Sequence, residues 1–136
     1  MSERALRLCV FFLEVSMKTV KILGTDYKVI FKDYKDDPLF EKRSIDGYSD
    51  DVEKEIVICN IKTYPGYEDE SAEYCAKVER QVMRHEVIHA FLSESGLCES
   101  ALQYSGGWSK NEEMVDYFAL QMPKIVAVFR ELGCEN

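Results

Sequence analysis

At 136 residues the chain has the usual length of one domain, enough to bury a core without disulfide staples. Hydrophobic residues make up 46% and charged residues 31%, which excludes a disordered composition. A net charge of −8, with no basic cluster, argues against nucleic acid as a partner. The five cysteines, Cys9, Cys59, Cys75, Cys98 and Cys134, are odd in number and irregularly spaced, and none forms a C-x-x-C pair. They read as reduced thiols, which points to the cytoplasm.

The chain opens with an apolar run, Leu8 to Leu13, after Arg4 and Arg7. The run is short, Glu14 interrupts it, and no small-x-small cleavage site follows, so it is not read as a signal peptide. It is also too short to span a bilayer, and no membrane partner is expected. Met17 opens a more ordinary start. Residues 1–16 are therefore read as an accessory helix or as an extension upstream of the natural start, and residues 17–136 as one domain.

Strands are expected first. Val20–Leu23 and Tyr27–Phe31 alternate or are rich in β-formers, with Gly24-Thr25-Asp26 as the turn between them. Asp33–Lys42 reads as loop or short helix, and Gly47–Asp51 as a turn. Glu55–Asn60 is the clearest strand, and Tyr64-Pro65-Gly66-Tyr67 then breaks regular structure. From Ser71 to about Ser95 the period changes. Tyr74, Val78, Val82, His85, His89 and Leu92 recur at helical spacing, with Gly96 as the stop. A loop follows, with Gly106-Gly107 as its most flexible point and Trp108 as an anchor. A second helix starts near Ser109 or Asn111. Pro123 predicts a break or kink, with a last helix to about Leu132. Strands followed by helices give an α+β fold, a small N-terminal sheet packed on a long helix.

That helix carries His85-Glu86-Val87-Ile88-His89, and the chain has no other histidine. Four residues advance a helix by only about 40° beyond one full turn, so both imidazoles leave the same face. That spacing suits two ligands of one tetrahedral zinc ion. Glu86 flanks the metal and can take a proton from a water in the open fourth position, the role of a general base. With no third histidine, the third ligand must be acidic or a thiolate. Glu112, at the start of the next helix, is the best candidate, with Glu113 and Cys98 as alternatives. A competing role for Glu112 exists, because Ser109-x-x-Glu112 is also a capping-box pattern. Asp116 lies one turn beyond Glu112, where it can accept a hydrogen bond from the back nitrogen of a liganding histidine. Tyr104 is the expected donor to an oxyanion.

His85-Glu86-x-x-His89 followed by Asn111-Glu112-x-x-x-Asp116-x-Phe118 resembles the glutamate-zincin arrangement of the thermolysin type. The run from Asn111 to Pro123 more closely resembles the ImmA/IrrE family of metallo-endopeptidases and related phage proteins. The resemblance covers residues 71–123. It implies a zincin-like domain over 17–136 with one Zn2+ per chain, held by His85, His89 and Glu112. The expected function is metallo-endopeptidase cleavage of a protein or peptide substrate, with Glu86 catalytic. The strand Glu55–Asn60 is expected at the cleft edge, holding the substrate by strand addition. The alternative is a non-proteolytic, metal-binding phage or mobile-element protein that uses the same fold to bind a protein partner. Metal-dependent hydrolysis of a non-peptide amide would share every residue named. The sequence leaves the oligomeric state open.

Overall fold

The computed structural model describes residues 17–98 and 107–135. Residues 1–16 and Tyr104 lie outside the described residues. Two strands, β1 (Met17–Ile22) and β2 (Thr25–Lys32), form a hairpin whose two-residue turn is Leu23-Gly24. Thr25 and Asp26, expected in the turn, belong to β2. A short 3-10 turn leads into α1 (Pro38–Arg43), which Asp37 caps by accepting from the Leu39 N–H. Then come β3 (Gly47–Asp50) and β4 (Glu55–Cys59), and the helices α2 (Ala72–Glu94) and α3 (Glu112–Glu131). The fold class is α+β, as expected.

The sheet order is β1-β2-β4-β3, with β2 and β4 parallel and the other pairs antiparallel. Strand β4 is apolar from Ile56 to Cys59 because both of its faces are covered. Ile56 and Ile58 pack with Tyr27, Val29, Val82 and Ala90 on the α2 side. Val57 and Cys59 pack with Phe40, Ile61 and Cys75 in a second cluster. This corrects one expectation. Strand β4 spends its backbone on β2 and β3, so it is interior and cannot add a peptide strand. The edge strand next to the helices is β3.

Strand β3 occupies the segment expected as a turn. Its Gly, Ser and Asp content is turn-like, but Tyr48 and Ser49 pair with Val57 and Ile56, and that pairing overrides local preference. The turn comes later, where Asp50 accepts from the N–H groups of Val52 and Glu53. Gly47 has a packing reason. A Cβ there would meet Val82 Cγ1 at 2.6 Å and Glu86 Cγ at 3.3 Å, so only glycine lets β3 lie this close to α2.

Helix α2 begins where Ser71 accepts from the Tyr74 N–H, and it ends before Gly96. Its sheet-facing stripe is Cys75, Val82, Glu86 and Ala90, one carboxylate among apolar residues. Helix α3 packs on α2 and starts at Asn111, whose side chain accepts from the Met114 N–H at 3.0 Å. No helix among the described residues is long and apolar enough to cross a membrane.

Helix α3 runs through Pro123 without the break that is one of the two expectations there. The reason lies on the neighbouring helix. Proline has no N–H to give to the carbonyl four residues back, which is that of Ala119. Arg84 of α2 supplies the missing donor, its Nε lying 3.0 Å from that oxygen. The helix thus keeps its proline without a buried, unsatisfied carbonyl. Arg84→Met should therefore lower stability to chemical denaturation by about 1–2 kcal/mol. In a Pro123→Ala background, where the helix regains its own N–H, the loss should shrink by about 1 kcal/mol. Equal losses in both backgrounds would show that the two residues are independent.

Candidate metal centre

The helical period brings His85 and His89 to the α3 side of α2, with ring centroids 4.7 Å apart. One residue on, a step of about 100° turns Glu86 toward the sheet edge. Helix α3 presents Glu112 at its first position and Asp116 one turn later. The Glu112 carboxylate lies 3.1 Å from His85 Nε2 and 3.3 Å from His89 Nε2, and the two Nε2 atoms are 3.0 Å apart. All three ligand atoms fall within 4.8 Å of one another. Glu113 and Cys98 are not part of this group.

Each histidine is held from behind. His85 Nδ1 donates to Asp116 Oδ1 at 2.7 Å, since an ionised carboxylate can only accept. His89 Nδ1 donates to the backbone carbonyl of Ser109. With both Nδ1 atoms protonated, each neutral ring has only a lone pair at Nε2. Two such lone pairs and a carboxylate then face one another with no hydrogen between them. A cation resolves that arrangement. Donor atoms on a tetrahedral zinc lie roughly 3.3 Å apart, from bond lengths of about 2.0–2.1 Å. The spacings here, measured to one or the other Glu112 oxygen, lie near that value and mark a candidate metal site.

Burial lowers the His89 pKa, and the neighbouring His85 adds to this, while Ser109 and Glu112 oppose it. The neutral, liganding form of His89 is thereby favoured. Glu86 is only 6% exposed. Burial pushes its carboxyl up to about 7, with Glu112 and Asp46 adding to the rise and His85 and the Ser49 backbone opposing it.

His85, Glu86, Glu112 and Asp116 line an open cleft of about 660 Å³ between β3, α2 and the start of α3. Ile61, Tyr64, Tyr67 and Tyr74 continue its wall. A second groove lies between α2 and α3, and its only charged lining residues are Arg80, Arg84 and Arg130. Among the described residues it has no carboxylate, histidine or cysteine in its lining.

The loop before α3 is fastened differently from expectation. The Trp108 side chain is 60% exposed rather than buried as an anchor. Ser109 is fully buried, and its N–H donates to the Leu97 carbonyl at 3.0 Å. Gly107 is pinned rather than free, because a Cβ there would meet the Leu97 oxygen at 2.1 Å. The capping-box role for Glu112 also falls away. Asn111 is the cap, so Glu112 sits at the first helical position and is left to face the histidines. The Ser109 carbonyl behind His89 had no signal in the sequence, because every residue carries one.

No family model, no curated protein and no solved structure matches the chain. The candidate metal site therefore rests on its own geometry.

Glu86 gives a direct check on the site's electrostatics in metal-free protein. Its folded pKa of about 7 stands above the ordinary 4.5. The stabilisation from its protonated form is fully present below pH 4.5 and is lost as pH rises through about 7. Glu86→Gln cannot titrate and should not show this loss. In chelator, the stability of Glu86→Gln minus that of wild type should grow by about 3 kcal/mol between pH 4 and pH 8. Parallel denaturation profiles across that range would mean that Glu86 is solvated.

Proposed function

We propose that the protein is a zinc-dependent peptide hydrolase. The observation that carries this reading is the pair of Nε2 atoms facing the Glu112 carboxylate, each ring fixed from behind through Nδ1, with His85 and Glu112 opening onto the cleft. A zinc ion bound there would supply Lewis acidity toward a water and toward the scissile carbonyl.

The chain's own residues would do the rest. Glu86, poised near neutrality and lining the same cleft, takes a proton from the attacking water and returns it to the leaving amine. Asp116 holds His85 in the liganding tautomer and raises its basicity. Strand β3 positions the substrate. Its hydrogen bonding alternates, and Asp46 O accepts from Cys59 N on the β4 side. The backbone groups of Gly47 and Ser49 are therefore directed away from β4. Gly47 is buried, so half-buried Ser49 is the outward-facing position left beside the cleft for an extended peptide.

Two conservative variants separate the roles. Glu112→Gln replaces an anionic ligand with a neutral one and should weaken zinc affinity. Glu86→Gln should keep the zinc and lose hydrolysis of an unstructured protein such as casein by about 10²–10⁴-fold. The reverse pattern, with zinc lost from Glu86→Gln and kept by Glu112→Gln, would overturn the assignment. Zinc binding with no hydrolysis by the wild type would leave a metal-dependent binding protein instead.

A further inference from the structure

The cleft holds one carboxylate that the hydrolytic machinery does not use. Four carboxylates line it, Asp46, Glu86, Glu112 and Asp116, and no lysine or arginine does. Glu112 and Asp116 are engaged with the histidines, and Glu86 lies buried beneath β3. Asp46 is different. It is half-buried just before β3, and its side chain makes no ion pair among the described residues. It lines the same cleft as Tyr64, Tyr67 and Glu86.

The tyrosines are an independent observation. Tyr64 and Tyr67 meet edge to face, with centroids 6.1 Å apart, and Tyr67 stacks on Tyr74 at 6.4 Å. All three rings line the cleft, beside the aliphatic Ile61 and Val78. Aromatic faces next to an unpaired carboxylate suit one kind of side chain, a long apolar stem with a cationic tip. A purely apolar side chain would match the rings but would cover the Asp46 carboxylate without pairing it, which is unfavourable. An acidic side chain would meet four carboxylates.

We propose that Asp46, with Tyr64 and Tyr67, forms a subsite for a lysine or arginine side chain of the substrate, which makes cationic peptides the substrate class. The inference rests on the reading of the cleft as a peptide-hydrolase site. The cleft's overall negative field would also steer such peptides toward it from a distance.

The test measures binding rather than turnover. Fluorescein-labelled decapeptide libraries, randomised except for one central Arg, Lys, norleucine or Glu, are titrated against the zinc-loaded Glu86→Gln protein. Arg and Lys libraries should bind about tenfold more tightly than the norleucine library, and the ratio should fall with added salt. Asp46→Asn, made in the same background, should bring the ratio to within about twofold of unity, and Asp46→Glu should restore part of it. A ratio of two peptides on one protein cancels any partial loss of fold. A norleucine preference, an Arg preference that survives Asp46→Asn, or no binding by any library would overturn the subsite. Failure of the hydrolase reading looks different. In that case the Asp46-dependent preference for Arg appears as described, but wild-type zinc protein leaves the Arg library uncut.

Discussion

The Nδ1 atoms of His85 and His89 are both occupied, one by the Asp116 carboxylate and one by the Ser109 carbonyl. That constraint leaves both Nε2 atoms as bare acceptors, aimed at each other and at a carboxylate. Such a cluster is repulsive unless a proton or a metal ion enters it, which makes it a candidate metal site. Much of the rest of the fold serves to hold this cluster. Asn111 starts α3 at the position that presents Glu112, and the buried Ser109 sets where that start lies. Arg84 ties α2 to α3 one helical turn beyond Asp116.

A second constraint acts from the sheet side. Glu86 stands in the apolar stripe of α2, under an edge strand that approaches closely because Gly47 lacks a side chain. Burial there raises its proton affinity to the range useful for general-base work near neutral pH. The same feature costs stability in the metal-free protein, since an ionised carboxyl is held away from water. A bound divalent ion would offset that cost. Folding and metal binding are then coupled through one residue.

The parts of the site that follow from helical geometry were legible in the sequence. His85 with His89, and Glu112 with Asp116, are four-residue pairs, and a helix puts each pair on one face whatever surrounds it. The start at Asn111 was legible for the same local reason. The parts set by neighbours were not. Gly47–Asp50 reads as a turn and becomes a strand because β4 pairs with it. Glu55–Asn60 looks like an edge strand but is interior, since an apolar run does not say which strands flank it. Pro123 predicts a break or kink, and only the position of Arg84 on another helix shows why no break occurs. Gly107 suggested freedom, yet a close backbone contact requires it. Asp46 comes from one loop and Tyr64 and Tyr67 from another, and only the folded chain places them in one cleft.

Elemental analysis of metal bound to protein purified without added metal or chelator tests the central claim most directly. The geometry predicts about one zinc per chain in the wild type and essentially none in His89→Ala, because the remaining groups cannot hold the ion against water. Equal metal content in the two proteins, each folded by circular dichroism, would contradict the account.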